Sequence, residues 1–325
     1  MRQNIDLSII VPVYNEEQNV EPMHREITEV MNALGKGYEL IFVDDGSIDK
    51  TTKILLEIQN NDQNVVVLCF RRNFGQTAAL SAGFDHARGD VIITLDGDLQ
   101  NDPRDIPILL EKIREYDIVN GWRKDRQDKT LTRKIPSIIA NRLISSVTGV
   151  KLKDYGCTLK AYRREVVKTI KLYGEMHRFI PAIASMMGVS YCEVPTNHRA
   201  RKFGKTKYGI SRTIRVILDL ITVKFLLSYR TRPIHMFGPI GIVTGFLGIM
   251  ICAYLTILKI AGHSIGQRPL LLLGVLMIII SAFFIILGLL GEIIIRLYYE
   301  VQDKPIYYIK EIRGRKEEFE EASND

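Results

Sequence analysis

Over the first 125 positions, short runs of β-branched and aromatic residues alternate with longer stretches whose apolar positions recur near helical spacing. Leu7–Pro12, Tyr38–Asp44, Val65–Phe70 and Val91–Leu95 predict buried strands. Glu17–Leu34, Lys50–Gln59 and Gln76–Ala87 predict the helices between them, and Ile118–Trp122 reads as a fifth strand. The order βαβαβαβ implies an α/β fold, a Rossmann-like and mostly parallel sheet with helices on both faces. Such sheets bind ligands at the carboxyl ends of their strands, where the loops gather.

The pattern changes after residue 230. Met236–Leu258 and Pro269–Gly291 each run 23 residues without a charge. As helices they would be about 34 Å long, enough for the roughly 30 Å hydrocarbon core of a bilayer. The expected organisation is a globular domain over 1–210, a juxtamembrane amphipathic helix over 211–232, and two transmembrane helices within 233–298 (about 235–260 and 269–295). A cytoplasmic tail over 299–325 would follow. Leu131–Val147 and Ser211–Tyr229 place apolar residues on one side and cations elsewhere, as helices lying in a membrane interface do. Gly238, Gly241, Gly245 and Gly248 recur at three- and four-residue spacing, which predicts close helix contact and a homo-oligomer. Glu292 and Arg296 are spaced to pair one turn apart.

Charge sharpens this division. The net charge is +7, but Arg199–Arg232 alone carries +9, so the remainder sums to −2. A uniformly basic nucleic-acid binder does not look like this, and no nucleic-acid partner is expected. The basic block abuts the first apolar span, and six more Lys and Arg lie between Arg296 and Lys316. The positive-inside rule then puts the globular domain and both termini on the cytoplasmic side of a multi-pass cell (inner) membrane protein. Met1 is followed by a polar start and a strand, so the apolar hairpin is expected to direct insertion. Cys69, Cys157, Cys192 and Cys252 lack metal-site spacing and predict reduced thiols without zinc.

The sharpest chemical feature is Asp96-Gly97-Asp98-Leu99-Gln100, directly after the fourth strand. In an extended segment, alternate side chains share a side, so Asp96, Asp98 and Gln100 would converge three oxygens on one point. Oxygen ligands suit Mg²⁺ or Mn²⁺. The first strand ends in Pro12-Val13-Tyr14-Asn15-Glu16 and the second in Asp44-Asp45-Gly46-Ser47. A carboxylate there can accept from the imide N–H of a base, and Tyr14 can stack on its face. Ser47 fits an N-cap of the following helix. The adjacent Asp44 and Asp45 repel one another unless a ligand donates to them. His86, His177, His198 and His235 show no ligand spacing and read as surface or helix-end residues.

The segments VPVYNEE, VDDGSID, RNFGQTAALSAGF and LDGDLQNDP, in this order, resemble the inverting family-2 glycosyltransferases of GT-A fold. Farther on, DYGCTLKAYRREV, RARKFGKTKYG and the C-terminal hairpin resemble the polyprenyl-phosphate branch. That branch includes dolichol-phosphate mannose synthase and the bacterial enzymes loading glucose or aminoarabinose onto undecaprenyl phosphate. The resemblance implies that Pro12, Tyr14, Glu16, Asp44, Asp45 and Asp96 meet the nucleotide. It implies that Asp96, Asp98 and Gln100 hold the divalent metal, and that Arg123, Arg133, Ser137, Arg201 and Lys207 meet phosphates or the acceptor. Asp154 is a candidate for orienting the sugar or acting as base, and with Asp98 and Arg123 it makes the expected catalytic set. Pro136 interrupts a helix that is regular in the relatives, which loosens the match of Arg133. Gly156-Cys157-Thr158-Leu159-Lys160 follows the glucose and aminoarabinose variant, which disfavours a mannose donor.

The reaction implied is transfer of a sugar from a UDP-sugar such as UDP-glucose to undecaprenyl or another polyprenyl phosphate, with inversion at the anomeric carbon. The acceptor phosphate is already an anion near neutral pH, so it needs positioning more than deprotonation. Arginine forks suit that task. A GDP-mannose transferase is the alternative. A processive polysaccharide synthase would carry a QxxRW motif and more spans, and a nucleotidyltransferase a Gly-rich phosphate loop after the first strand. The sequence has neither motif.

Overall fold

The computed structural model describes residues 5–124, 145, 149–170, 172, 176–185, 188–200, 234–262, 264, 269–301 and 309–314 (side chains of 234–236, 292 and 295–301 excepted). The two candidate interfacial helices, residue 145 apart, and the side chains of Glu292 and Arg296 lie outside the described residues. The chain divides into two units, Met1–Val223 with Pro305–Asp325, and Lys224–Lys304.

In the first unit, β1 (Leu7–Val13), α1 (Val20–Leu34), β2 (Tyr38–Asp44), α2 (Thr51–Asn61), β3 (Val65–Phe70), α3 (Gln76–His86) and β4 (Val91–Thr94) follow the predicted alternation. A short helix, α4 (Ile106–Lys112), leads to β5 (Ile118–Arg123), the expected fifth strand. Then come β6 (Lys160–Arg163), α5 (Arg164–Thr169), α6 (Ile180–Ser185) and β7 (Tyr191–Thr196). The sheet order is β7-β5-β6-β4-β1-β2-β3, completed at the β3 edge by β8 (Ile309–Arg313). Strands β4, β1, β2 and β3 are mutually parallel, whereas β6 runs antiparallel between β4 and β5.

The strands are apolar on both faces because helices cover both. Ile9, Val11, Leu40, Phe42, Val67 and Ile93 pack in one core with Met23, Ile27 and Met31 of α1. Across the sheet, α3 approaches so closely that a β-carbon on Gly83 would lie 2.4 Å from Ile10 Cγ2. At the amino ends of the strands, buried Glu39 accepts from Ser8 Oγ and from Arg88 N and Nε, tying the approach to β4 onto β2. That end is structural. The other end, where β1 and β4 send their connections in opposite directions, is the crevice in which this class of sheet binds ligands.

The C-terminal stretch, assigned from sequence to a tail, supplies β8. It pairs antiparallel with β3, Leu68 opposite Ile312, and so covers the exposed edge of the sheet.

The second unit is a helical hairpin, α7 (Ile234–Ile260) and α8 (Pro269–Val301). Phe237–Ile260 and Pro269–Gly291 are long and apolar enough to cross a membrane. The glycine stripe is used inside the hairpin. β-Carbons on Gly241, Gly245 and Gly248 would lie 2.9, 2.5 and 2.8 Å from Ile285 Cγ1, Ser281 Oγ and the Gly274 carbonyl oxygen of α8. The neighbour that these three glycines admit here is the second helix of the same chain.

Candidate active site

The loops leaving β1 and β2 are laced together by short-range polar contacts. Asn15, in a left-handed conformation (φ 51°), donates its N–H to Ser47 Oγ at 2.9 Å, and its side-chain oxygen accepts from Ile48 N. Glu16 N donates to Thr51 Oγ1, and Glu17 exchanges bonds with Asp49 and Lys50. Ser47 is therefore not the N-cap of α2, which begins at Thr51; its hydroxyl joins the two loops instead. Pro12, Tyr14 and Glu16 thus lie on the segment that runs beside Asp44 and Asp45.

The two adjacent aspartates are reconciled by the protein's own donors. Asp44 accepts from Ser47 N at 2.9 Å and Thr52 Oγ1 at 2.5 Å. Asp45 accepts from Phe74 N at 2.7 Å and Gly75 N at 2.9 Å. No ligand is needed to hold the pair. Burial still dominates for Asp45, only 4% exposed, and with the charge of Asp44 it lifts the carboxyl to about 6 despite those two amides. Gly46, between them and Ser47, has φ 72°, and a β-carbon there would lie 2.4 Å from the Arg72 carbonyl carbon.

The turn after β4 corrects the expected ligand triad. The strand ends at Thr94, and Leu99 adopts φ 61°, so the alternation of an extended chain stops before Gln100. Gln100 N donates to Asp98 Oδ1 at 3.1 Å, while its side-chain amide turns to the Arg199 carbonyl at 3.4 Å. Gln100 thus shapes the turn that carries Asp96 and Asp98. Gln76, at the start of α3, donates to Asp96 Oδ1 at 2.7 Å. Gly97 makes its close approach to β1, where a β-carbon would meet Val13 Cγ1 at 2.6 Å.

Arg123, at the end of β5, and Asp154 form a two-point ion pair, Nε to Oδ2 at 2.7 Å and Nη2 to Oδ1 at 2.9 Å. Asp154 also accepts from Gly156 N and Arg123 N. Burial opposes the charge on Arg123, but the hydrogen bonds and charge of Asp154 outweigh it and hold the guanidinium pKa above its usual value. The geometry has Asp154 hold the Arg123 guanidinium along one edge. The loop bearing Asp154 is fixed in turn by Glu193 on β7, which accepts from Lys153 N and Asp154 N, and by Asn120 on β5, which donates to the Asp154 carbonyl. Trp122 lies under Lys153, whose ammonium is 4.0 Å from the ring centroid.

Sequence reasoning missed three further residues. Lys160, at the start of β6, is buried, and desolvation brings its ammonium down to about 8. His177 is buried rather than a surface residue; Nδ1 lies 2.8 Å from Thr77 Oγ1, and burial, then Arg178 and Lys160, hold its pKa well below the ordinary value. Arg199, counted from sequence with the membrane-facing cations, pairs instead with Glu26 at 2.6 Å and Asp102 at 2.5 Å. Its N–H donates to the Gln100 carbonyl at 2.9 Å, so it pins the turn after β4. The motifs holding Thr77 and Lys160 were visible in the sequence; burial was not. Arg133, Ser137, Arg201 and Lys207 lie outside the described residues.

The comparisons with known proteins agree with this architecture. The family model described as glycosyl transferase family 2 matches residues 8–171. The chain is 47% identical over 316 residues to a dodecaprenyl-phosphate galacturonate synthase of Rhizobium johnstonii, covering 95% of this chain and 94% of that one. It is 41% identical over 315 residues to an undecaprenyl-phosphate 4-deoxy-4-formamido-L-arabinose transferase of Shewanella sediminis, covering 95% and 93%. Among solved structures, glucosyl-3-phosphoglycerate synthase of Mycobacterium tuberculosis, in complex with Mn²⁺ and UDP, superposes with a TM-score of 0.52. Its identity is 16%, and the match covers 68% of this chain and 79% of that one. That likeness shows the GT-A fold. The chain belongs to glycosyl transferase family 2 and, within it, to the polyprenyl-phosphate glycosyltransferases.

Proposed function

We propose that this enzyme moves a sugar from a UDP-sugar to undecaprenyl phosphate, or another polyprenyl phosphate, at the cytoplasmic face of a cell membrane. The observation that carries the reading is the pair Asp96 and Asp98 in the turn closing β4, at the crevice of the sheet, with Arg123 within electrostatic reach of Asp96. Two carboxylates suit a hard divalent cation, because Mg²⁺ and Mn²⁺ sites take one or two carboxylates and fill the remainder with substrate phosphates and water. Among the described residues no third acid, His or Cys joins them. Such an ion, held by Asp96 and Asp98, would neutralise the diphosphate leaving group.

The chain's own groups supply the rest. Tyr14 and Asp45 hold the base, and Glu16 borders the same loop. Arg123, aimed by Asp154, faces phosphate oxygens as charge develops on them. An oxygen of the acceptor phosphate attacks the anomeric carbon as its bond to the diphosphate breaks, which inverts that centre. The relatives named above handle galacturonate and a formamido-arabinose. A UDP-hexuronate is therefore favoured over the UDP-glucose expected from sequence, and GDP-mannose is the alternative.

Two features support the membrane placement. Few of the apolar side chains of α7 and α8 are buried within the structure, with Phe246, Leu272, Phe283 and Ile294 all largely exposed. The chain also leaves the sheet after β7 and rejoins it as β8, so two crossings return it to the same side. The test is purified protein with undecaprenyl phosphate and UDP-galacturonate, UDP-glucose or GDP-mannose, with and without EDTA. Transfer from GDP-mannose alone, or transfer indifferent to chelation, overturns the reading.

A further inference from the structure

Thr94, Lys160 and Asn120 stand abreast on β4, β6 and β5, paired residue to residue across the three strands, so their side chains share one face of the sheet. Because β6 runs antiparallel to β4, Lys160 at its start lies at the carboxyl end of β4, beside the turn that carries Asp96 and Asp98. The row lies at the ligand edge.

Two groups in this row are buried with unmet hydrogen-bonding capacity. Lys160 is 3% exposed, makes no ion pair among the described residues, and donates only to the Tyr155 carbonyl at 3.4 Å. Asn120 is 0% exposed; its amide N–H groups reach the Gly121 and Asp154 carbonyls, but its side-chain oxygen has no partner. A buried ammonium with three donors and one long bond is unfavourable unless something anionic completes it. The neighbouring charges do so only in part: Cys157 and Asp154 favour the Lys160 charge, without a direct contact to it. Asp154 is committed to Arg123, while Arg123 and Arg178 both act against the Lys160 charge, and His177 beside it is held neutral.

We propose that Lys160 and Asn120 form the floor of the donor-sugar pocket and receive a carboxylate carried by the sugar, Lys160 as its counter-ion and the Asn120 oxygen as acceptor for an adjacent hydroxyl. This makes Lys160 the residue that selects a uronic acid over the neutral hexose of the same configuration, which reverses the glucose-type expectation drawn from Gly156–Lys160. The proposal rests on the reading of the chain as a UDP-sugar transferase. The diphosphate is already provided for by the Asp96–Asp98 turn and Arg123, which leaves the Lys160 cation for the far end of the donor. The depressed ammonium pKa fits a cation waiting for its partner, since an anion in contact would raise it again.

The experiment compares kcat/KM for UDP-galacturonate and UDP-galactose, which differ only at the sixth carbon, in wild type, Lys160→Met and Lys160→Arg. Wild type should prefer the uronate by about 100-fold or more, as sites with buried polar partners do. In Lys160→Met the ratio of the two values should collapse towards unity, and Lys160→Arg should restore part of it. A ratio unchanged in Lys160→Met overturns the proposal, as does a wild type that uses both donors equally. Should Lys160→Met fail to fold, Lys160→Gln provides the same ratio. Failure of the underlying reading is separate: wild type would then transfer from neither UDP-sugar, before any variant is compared.

Discussion

The guanidinium of Arg123 and the carboxylate of Asp154 meet edge to edge, with contacts of 2.7 and 2.9 Å, both groups largely withdrawn from water. One residue ends β5 and the other sits in the loop ahead of β6, so the pair couples that loop to the sheet. An arginine held on one edge by a carboxylate presents its remaining donors in a fixed direction, which is what an anionic transition state needs.

Breaking this pair should cost both activity and stability. Asp154→Asn leaves a buried guanidinium half-satisfied, a loss of about 3–5 kcal/mol for a buried pair, read as a lower urea midpoint. Its kcat should fall about 100-fold or more, and Arg123→Gln should fall comparably. Because the residues act as a unit, the double variant should be little worse than either single one. Additive losses would show that Asp154 has a separate chemical role.

The metal reading predicts binding as well as turnover. Asp98→Ala should lower kcat by about 100- to 1000-fold, the scale of losing one electrostatic element of a transition-state site. Titration calorimetry should show Mn²⁺ binding in the presence of UDP for wild type and not for the variant. Retained Mn²⁺ affinity in Asp98→Ala would remove that residue from the metal site.

Asp45 should leave a signature in the pH dependence of stability. Its folded carboxyl sits near 6, above the ordinary 3.8, so the folded protein binds this proton more tightly than the unfolded chain. The contribution is full below about pH 4 and is lost as pH rises through 6, amounting to about 3 kcal/mol. The groups facing it are Asp44, which raises the value, and the Phe74 and Gly75 amides, which lower it. Urea unfolding of Asp45→Asn should lack that slope between pH 4 and 6.5.

Gly46→Ala tests the seating of the loop over residues 71–75. A β-carbon there meets the Arg72 backbone at 2.4 Å, and the backbone at φ 72° disfavours any L side chain. The cost should be about 1–3 kcal/mol from the backbone conformation alone. UDP affinity should fall with it, because the displaced loop carries the two amides that hold Asp45.

The sequence by itself determined the alternating strands and helices, the apolar hairpin, and the places of Tyr14, Asp45 and Asp96 on loops and of Arg123 at the end of a strand. Hydrophobic period and turn chemistry are local, so they are legible locally. Only tertiary structure decided the partners. Leu99 turning left-handed took Gln100 out of the expected ligand set, because a single backbone angle ended the alternation. Asp44 and Asp45 proved to be held by amides and hydroxyls from Ser47, Thr52 and residues about 30 positions away, a neutralisation no spacing rule reveals. Lys160 and His177 read as ordinary polar residues until three strands and α3 enclosed them, and β8 read as a tail until it met the unpaired edge of β3. Burial and pairing belong to contacts between distant segments, so the energetics of the site follow from the assembled sheet.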